Sequence, residues 1–441
     1  MADAPAPVTA AVLAERLAAG AISAREVVDA CLARIAEREP TMRAFAHVDP
    51  DHARAMADAL DRHRKAGRPL GALHGLPVGV KDVIDTRDYP TENGTAQDVG
   101  RRPREDATLV ARLRAAGAVV IGKTATTELA FQTPAATMNP HNADRTPGGS
   151  SSGSAVAVAD GMVPLAIGTQ TGGSVIRPAS FCGVVGYKPS HGAISMTGVL
   201  AHSEHLDTAG VFAATLADAA LLAGALMGHD PRDPRTRVEP VPDLPAAARA
   251  QPPVTPRFAV VRGPTWEHAS EDMGGLLAEV REALEDGADD VDLPEVFLNA
   301  PPSHRRLMTV GFARNLARYV DGGAVGAAMR EGVEEGRATS AVDYLAAVDW
   351  RTALIAGIER VFDRYDAILT AAAPGEAPGR ETTGSAAFNA LWTMLGTPAI
   401  TLPMGTGSTG LPLGLQVVGR PREDARLVRT AAWLERRLGG R

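Results

Sequence analysis

The stretch over residues 146–189, TPGGSSSGSAVAVADGMVPLAIGTQTGGSVIRPASFCGVVGYKP, constrains the chain more than any other. Two Gly-Gly-Ser turns, Gly148-Gly149-Ser150 and Gly172-Gly173-Ser174, bracket a small-residue helical pattern and a short apolar run. Glycine admits backbone conformations that a Cβ forbids and leaves N–H groups open to a ligand. One such turn marks only a change of direction. Two serines, each delivered by paired glycines, point to hydroxyls that work together beside closely packed backbone. A third group joins them in Leu73-His74-Gly75-Leu76-Pro77-Val78-Gly79-Val80-Lys81-Asp82, where Lys81 closes an apolar run.

Around this centre the patterns alternate. Residues 9–20 predict a short amphipathic helix, and Ser23 with Glu26 forms a capping-box pattern opening a helix to about residue 39, before Pro40. A charged helix follows over 50–65, then a strand over 76–80, a helix over 106–116 and a strand over 118–121. Further on, 215–227 predicts a helix and 228–256 a Pro-rich exposed connection. Residues 258–262 predict a strand, and helical patterns dominate 271–365. Strands are expected over 367–370, 399–403 and 411–418, and a last helix over 423–438. This alternation predicts an α/β fold with helices over a sheet. No period of a solenoid repeats.

Composition narrows the function. The net charge of −7 lacks the basic face a nucleic-acid binder needs, and aromatics at 4% leave few stacking platforms. Two cysteines make no disulfide framework: Cys31 repeats at helical spacing with Val27 and Ile35, and Cys182 reads as a small buried residue. The N-terminus mixes acidic and basic residues where a signal peptide needs an apolar core, and no apolar run reaches the length of a membrane span. The expectation is a cytoplasmic protein without membrane contact.

A serine hydroxyl needs a base to become a nucleophile, and no histidine lies within the central stretch. Lysine serves if burial disfavours its ammonium. Lys81 alone would read as a snorkelling strand-end residue; the glycines and serines change that reading only in combination. Thr171, Gly172, Gly173 and Ser174 are able to aim successive backbone N–H groups into one space, as an oxyanion hole requires. The first turn lies at the start of a helix over 152–159, whose dipole favours nearby negative charge.

The stretch resembles the amidase signature family, in which a Gly-Gly-Ser-Ser-Gly segment is followed by a Gly-Gly-Ser turn. LHGLPVGVKDVIDT is similar to the family's lysine segment and AAGAVVIGKT to the part joining lysine and serines. FNALWTMLGTPAITLP and LPLGLQVVGRP are similar to its C-terminal motifs, and the likeness is weakest over about 228–385. The resemblance implies one α/β domain over 1–441 with a mixed twisted sheet and helices on both faces. Within it, N-terminal helices (1–70), a catalytic region (71–227), the Pro-rich surface connection (228–256) and a pocket-forming C-terminal part (257–441) follow one another. It implies Ser174 as acylated nucleophile, Ser150 after a cis peptide as bridging serine, Lys81 as base, and backbone of 171–174 as oxyanion hole. The implied reaction is hydrolysis of a carboxylic amide without metal or organic cofactor. Phe131, Met138, Gly149, Phe388 and Trp392 are the candidate pocket residues.

The chain departs from the family pattern at three positions. Gln170 stands where an aspartate is common, Arg177 falls three residues after Ser174 rather than two, and Ala214 replaces a common arginine. If the usual acid and arginine support each other, the first two changes are coupled. The G-x-S-x-G pattern centred on Ser151 lacks the strand a nucleophile elbow needs, and neither turn ends as a phosphate loop does. His202, Ser203, Glu204, His205 and Asp207 read as a polar loop rather than a metal cluster, and His74 as structural. The rival function is the amidase subunit of a glutamyl-tRNA(Gln)-type amidotransferase, which works with a partner subunit. Otherwise the partners expected are a small amide and, as the commonest assembly, a second copy in a homodimer.

Overall fold

Eleven strands form one sheet in the order β1-β3-β2-β4-β6-β5-β10-β11-β9-β7-β8. They are β1 (Phe45–Val48), β2 (Pro77–Lys81), β3 (Val119–Thr124), β4 (Leu165–Gln170), β5 (Val185–Lys188), β6 (Thr208–Ala213), β7 (Phe258–Val260), β8 (Ala288–Asp290), β9 (Ala367–Ala371), β10 (Ala399–Thr406) and β11 (Pro412–Val418). The computed structural model describes residues 9–323 and 325–439. β2 pairs in parallel with both β3 and β4, and β9, β7 and β8 are also parallel. The strands from β4 through β6, β5, β10 and β11 to β9 run antiparallel to their neighbours. The sheet is therefore mixed. Every residue of β2, β3, β4 and β6 is buried, so both faces are covered, and their sequences read as apolar runs without alternation. The expected single α/β domain is the observed architecture.

Local chemistry explains where helices begin. Ser23 Oγ accepts from Glu26 N–H at 3.1 Å while Glu26 Oε2 accepts from Ser23 N–H at 2.7 Å, the reciprocal capping box. Asp49 caps the Pro50–Lys65 helix through His52 N–H at 2.9 Å. The helix expected to stop before Pro40 runs from Ala24 to Met42 and ends on left-handed Arg43. Proline removes only its own donor, and near a helix end that loss is small. The Glu39 carboxylate instead takes the N–H groups of Ala44 and Phe45 at 3.0 Å each and turns the chain into β1.

The Pro-rich segment 228–256 is not a free linker. Asp230 accepts from Thr108 Oγ1 at 2.5 Å and Ser195 Oγ at 2.7 Å, and Asp233 accepts from Met196 N–H at 2.8 Å. A helix over Leu244–Arg249 lies within it. The stretch 271–365, read as helical, also holds the three-residue strand β8. Cys31 and Cys182 are free thiols. Among the described residues no helix is long and apolar enough to cross a membrane.

Candidate active site

Parallel pairing of β2 with β4 brings two chain segments to one sheet end, where a crevice opens beyond the carboxyl ends of the strands. Lys81 is the last residue of β2 and is fully buried. Its Nζ donates to Ser150 Oγ and to Thr169 Oγ1, each at 2.8 Å. Burial drives the Lys81 ammonium well below its ordinary range, opposed by the negative charge of Asp207. A buried amine with two hydroxyl partners and no carboxylate in contact is shifted toward its neutral form, the state in which an amine accepts a proton.

The first glycine turn delivers Ser150. Gly148 has φ +80°, a value that suits glycine, and the Gly149–Ser150 peptide is cis. The Ser150 carbonyl accepts from Thr127 N–H at 3.2 Å, and Arg177 Nη2 donates to the Gly149 carbonyl at 2.6 Å. Ser151 Oγ exchanges two 3.2 Å bonds with the Thr169 backbone, which fastens the turn to β4. That hydroxyl is buried and occupied, and no strand precedes it, so the Ser151 elbow has no structural counterpart.

The second turn follows β4 directly. Two of its carbonyls are taken by side chains: Thr393 Oγ1 donates to Gly172 O at 2.6 Å, and His304 Nε2 donates to Thr171 O at 2.9 Å. Among the described residues the N–H groups of Gly172, Gly173 and Ser174 have no protein acceptor. Gly173 is required sterically, because a Cβ there would lie 2.3 Å from Asn389 Oδ1. Thr171 Oγ1 donates to Asp207 Oδ1 at 2.7 Å, while Asp207 Oδ2 takes the N–H groups of His202 and Ser203 at 2.8 and 3.0 Å. The polar loop at 202–207 is thus a latch on the turn.

Thr171, Gly172, Gly173 and Ser174 all line a cavity of about 280 Å³. Phe131 lines it too, as expected from sequence. Phe388 and Trp392 do not: at 4% and 2% exposure they face the core, and the same helix gives the cavity Ala387, Ala390 and Leu391. Met138 packs against the core and Gly149 sits behind the turn against Thr127 and Thr383, so neither reaches the cavity surface. Thr169, His304 and Thr393 are participants that sequence reasoning did not single out, although Thr169 and Thr393 stand in segments already noticed; Asp207 was named there only as part of a polar loop.

Gln170 and Arg177 have separate tasks. Gln170 Oε1 accepts from Val175 and Ile176 N–H at 2.8 and 3.0 Å, starting the Ile176–Cys182 helix, and its Nε2 donates to Thr393 at 2.9 Å. Arg177 points to the other turn. Ala214 lies in a different cavity, beside the N-terminal helices. Among the described residues His47, Asp82 and Glu92 form the one group with metal-ligand geometry. Lys123 Nζ lies 3.2 Å from Asp82 Oδ1, so a positive charge already serves that carboxylate.

The sequence model of the family described as Amidase matches residues 26–428. The chain belongs to the amidase signature family. Among curated relatives it is 38% identical to a glutamyl-tRNA(Gln) amidotransferase subunit of Chloroflexus aggregans, over 94% of this chain and 93% of that protein. It is 37% identical to the protein of the same name in Salinispora arenicola, over 98% and 97%. Among solved structures, native peptide amidase from Stenotrophomonas maltophilia superposes with a TM-score of 0.85 at 32% identity, covering 98% of this chain and 97% of that one. An inhibitor-bound vestigial complex tied to the origins of an s-triazine catabolic enzyme superposes at 0.91 with 27% identity, over 98% and 99%. Membership makes the protein an amidase-type enzyme acting on C–N bonds.

Proposed function

We propose that Ser174 attacks the carbonyl of a carboxylic amide and that Lys81 and Ser150 relay the protons. Neutral Lys81 takes the proton of Ser150 as Ser150 takes that of Ser174. The new C–O bond leaves an oxyanion facing the N–H groups of residues 171–174. Collapse breaks the C–N bond, and the proton returns from Lys81 through Ser150 to the leaving nitrogen. Water then repeats the sequence on the acyl-enzyme and releases the acid. The observation that carries this reading is the buried 2.8 Å contact between Lys81 Nζ and Ser150 Oγ. Ser174 Oγ makes no hydrogen bond to the protein among the described residues, so this reading requires that its link to Ser150 be made in the substrate complex.

The names of the curated relatives favour a second reading over a free-standing hydrolase. At 37–38% identity they are subunits of an amidotransferase, so the ammonia released here would pass to a partner protein rather than to solvent. One experiment addresses both. Ammonia and carboxylate release is measured across a panel of amides, glutamine included, for wild type and S174A, with the chain purified alone and with whatever co-purifies. Release by wild type alone, and a loss of about 10⁴-fold or more in S174A, is the expected result for the hydrolase. Release only in the presence of a co-purifying protein is the expected result for the amidotransferase. Near-wild-type release by S174A removes the nucleophile assignment.

A further inference from the structure

Arg429 is half-buried on the helix Asp424–Leu438, and its Nε is enclosed with no acceptor. Among the described residues its guanidinium pairs with no carboxylate. It lines a cavity of about 530 Å³ between the start of that helix, the loop 190–193 and the segment 235–242. This cavity shares no residue with the one that holds Ser174.

Four further arginines line the wall, and three of them are engaged. Arg235 forks onto Asp233 at 2.7 and 2.9 Å, Arg426 reaches Asp366 at 2.8 Å and Glu423 at 2.9 Å, and Arg422 holds Glu239. The fourth, Arg237, is exposed and among the described residues makes no side-chain hydrogen bond or ion pair. The acidic groups of the wall are already taken. Glu239 and Glu423 serve Arg422 and Arg426, and Asp424 Oδ1 accepts from Tyr187 Oη at 2.6 Å and Ser190 N–H at 2.9 Å. His191 on the same wall feels the surplus of positive charge. Burial first, and then Arg351, Arg235 and Lys188, push its imidazole down to about 3, opposed by the Glu204 carbonyl.

One exposed arginine is ordinarily solvated surface. Arg429 is a different case, because its Nε is shut away from water and no protein group takes the place of that water. Two unpaired guanidinium groups on one wall suit a ligand with oxygens for both. The three terminal oxygens of a phosphate supply them, whereas one guanidinium occupies both oxygens of a carboxylate. Met227, Pro240, Val241 and Pro242 give the cavity an apolar side as well. The net charge of −7 denies the wide basic face that a polynucleotide needs.

We propose that this cavity is a second ligand site, separate from the reaction centre, which binds the phosphate monoester of a small organic alcohol. Arg429 and Arg237 hold the phosphate, and the organic body lies against Met227 and Val241.

Calorimetry on the full chain tests this in a phosphate-free buffer of fixed ionic strength, above the second ionisation of the ester. The probes are phenyl phosphate, inorganic phosphate, benzoate and a short oligoribonucleotide. Phenyl phosphate is expected to bind saturably, more tightly than inorganic phosphate and about tenfold or more tightly than benzoate. R429Q and R237Q should each weaken it about tenfold, while R104Q, which removes an exposed charge outside the cavity, leaves it unchanged. Without ligand, R429Q should unfold at no lower temperature than wild type, because no protein group loses a partner. Absence of saturable binding, benzoate equal to phenyl phosphate, or an equal loss in R104Q overturns the proposal. Tighter binding of the oligoribonucleotide than of phenyl phosphate also overturns it, and assigns the arginines to nucleic acid. A lower unfolding temperature in R429Q with phenyl phosphate binding intact makes that arginine structural and removes its role. Should R429Q not fold, R237Q and the probe series still decide.

Discussion

Lys81 Nζ donates to Thr169 Oγ1 at 2.8 Å across the β2–β4 pair, the same length as its bond to Ser150. The threonine fixes the amine from the strand that leads into the second glycine turn, so the proposed base and the proposed oxyanion turn share one rigid support. Thr169→Val keeps the shape and removes the acceptor. With one of two anchors gone, kcat is expected to fall about three- to tenfold with KM little changed, the scale of one net hydrogen bond. Steady-state kinetics check this, and an unaltered kcat would mean that Ser150 alone positions the amine.

The pH profile follows from the same amine. Burial depresses Lys81, so the neutral amine forms at lower pH than for an ordinary lysine and disappears as pH falls through its lowered pKa. Activity should therefore show an acid limb, lost in the Lys81→Met variant along with turnover. Asp207 acts against burial, its negative charge favouring the ammonium. Removing that charge in Asp207→Asn lowers the lysine further and moves the acid limb to lower pH. A limb that moves up, or stays, in profiles of kcat/KM would assign it to another group.

Gly173 makes a steric prediction. An alanine there would place its Cβ 2.3 Å from Asn389 Oδ1, whose amide is in turn fixed by donation to Ala372 O at 2.9 Å. Gly173→Ala should shift the oxyanion turn and reduce kcat by about 10²-fold, the scale of losing one donor. Asn389→Ala removes the obstructing amide. In a double-mutant cycle the pair should lose less than the sum of the single losses. Strict additivity would mean that the turn fails for a reason other than this contact.

The site was more legible than the sheet. Ser150, Ser174 and Lys81 announce themselves because glycine pairs and a lysine ending an apolar run are unusual in combination. Thr169 stays silent, since a hydroxyl inside LAIGTQ has nothing in its sequence context to separate it from an ordinary strand residue. Asp207 was visible as part of a polar loop, but its service to Thr171 depends on a fold that brings β4 beside that loop. The antiparallel middle of the sheet hides for another reason. β4 and β6 are buried on both faces, so their residues lack the alternation that marks a half-exposed strand. β5 is four residues with Gly186 among them, and β8 three, both too short for any period to register. Phe388 and Trp392 misled because aromatic size suggests a pocket wall as readily as a core. Only the helix's rotation, with Ala387, Ala390 and Leu391 toward the cavity, separates the two.

Lys188 carries the last prediction, on stability. It is fully buried in β5, donating to Thr397 O at 2.5 Å and Pro189 O at 3.1 Å. Burial lowers it to about 7, against the favourable charge of Asp424. In the unfolded chain it returns to its ordinary value of 10.5. Between these two values the unfolded state binds a proton that the folded state does not, so stability rises with pH across that window. The slope from this one lysine is on the order of 1.4 kcal/mol per pH unit. Lys123, lowered to about 8 by burial, adds a slope of the same sign over a narrower range. Urea unfolding at pH 7.5 and 9.5 (about two units apart inside the window) should show the rise in wild type. Lys188→Met should reduce that rise while lowering stability at the higher pH, where the Thr397 carbonyl loses its donor. An equal rise in both proteins would mean that Lys188 keeps its proton when folded, and that the carbonyls around it are enough to hold a charge inside the sheet.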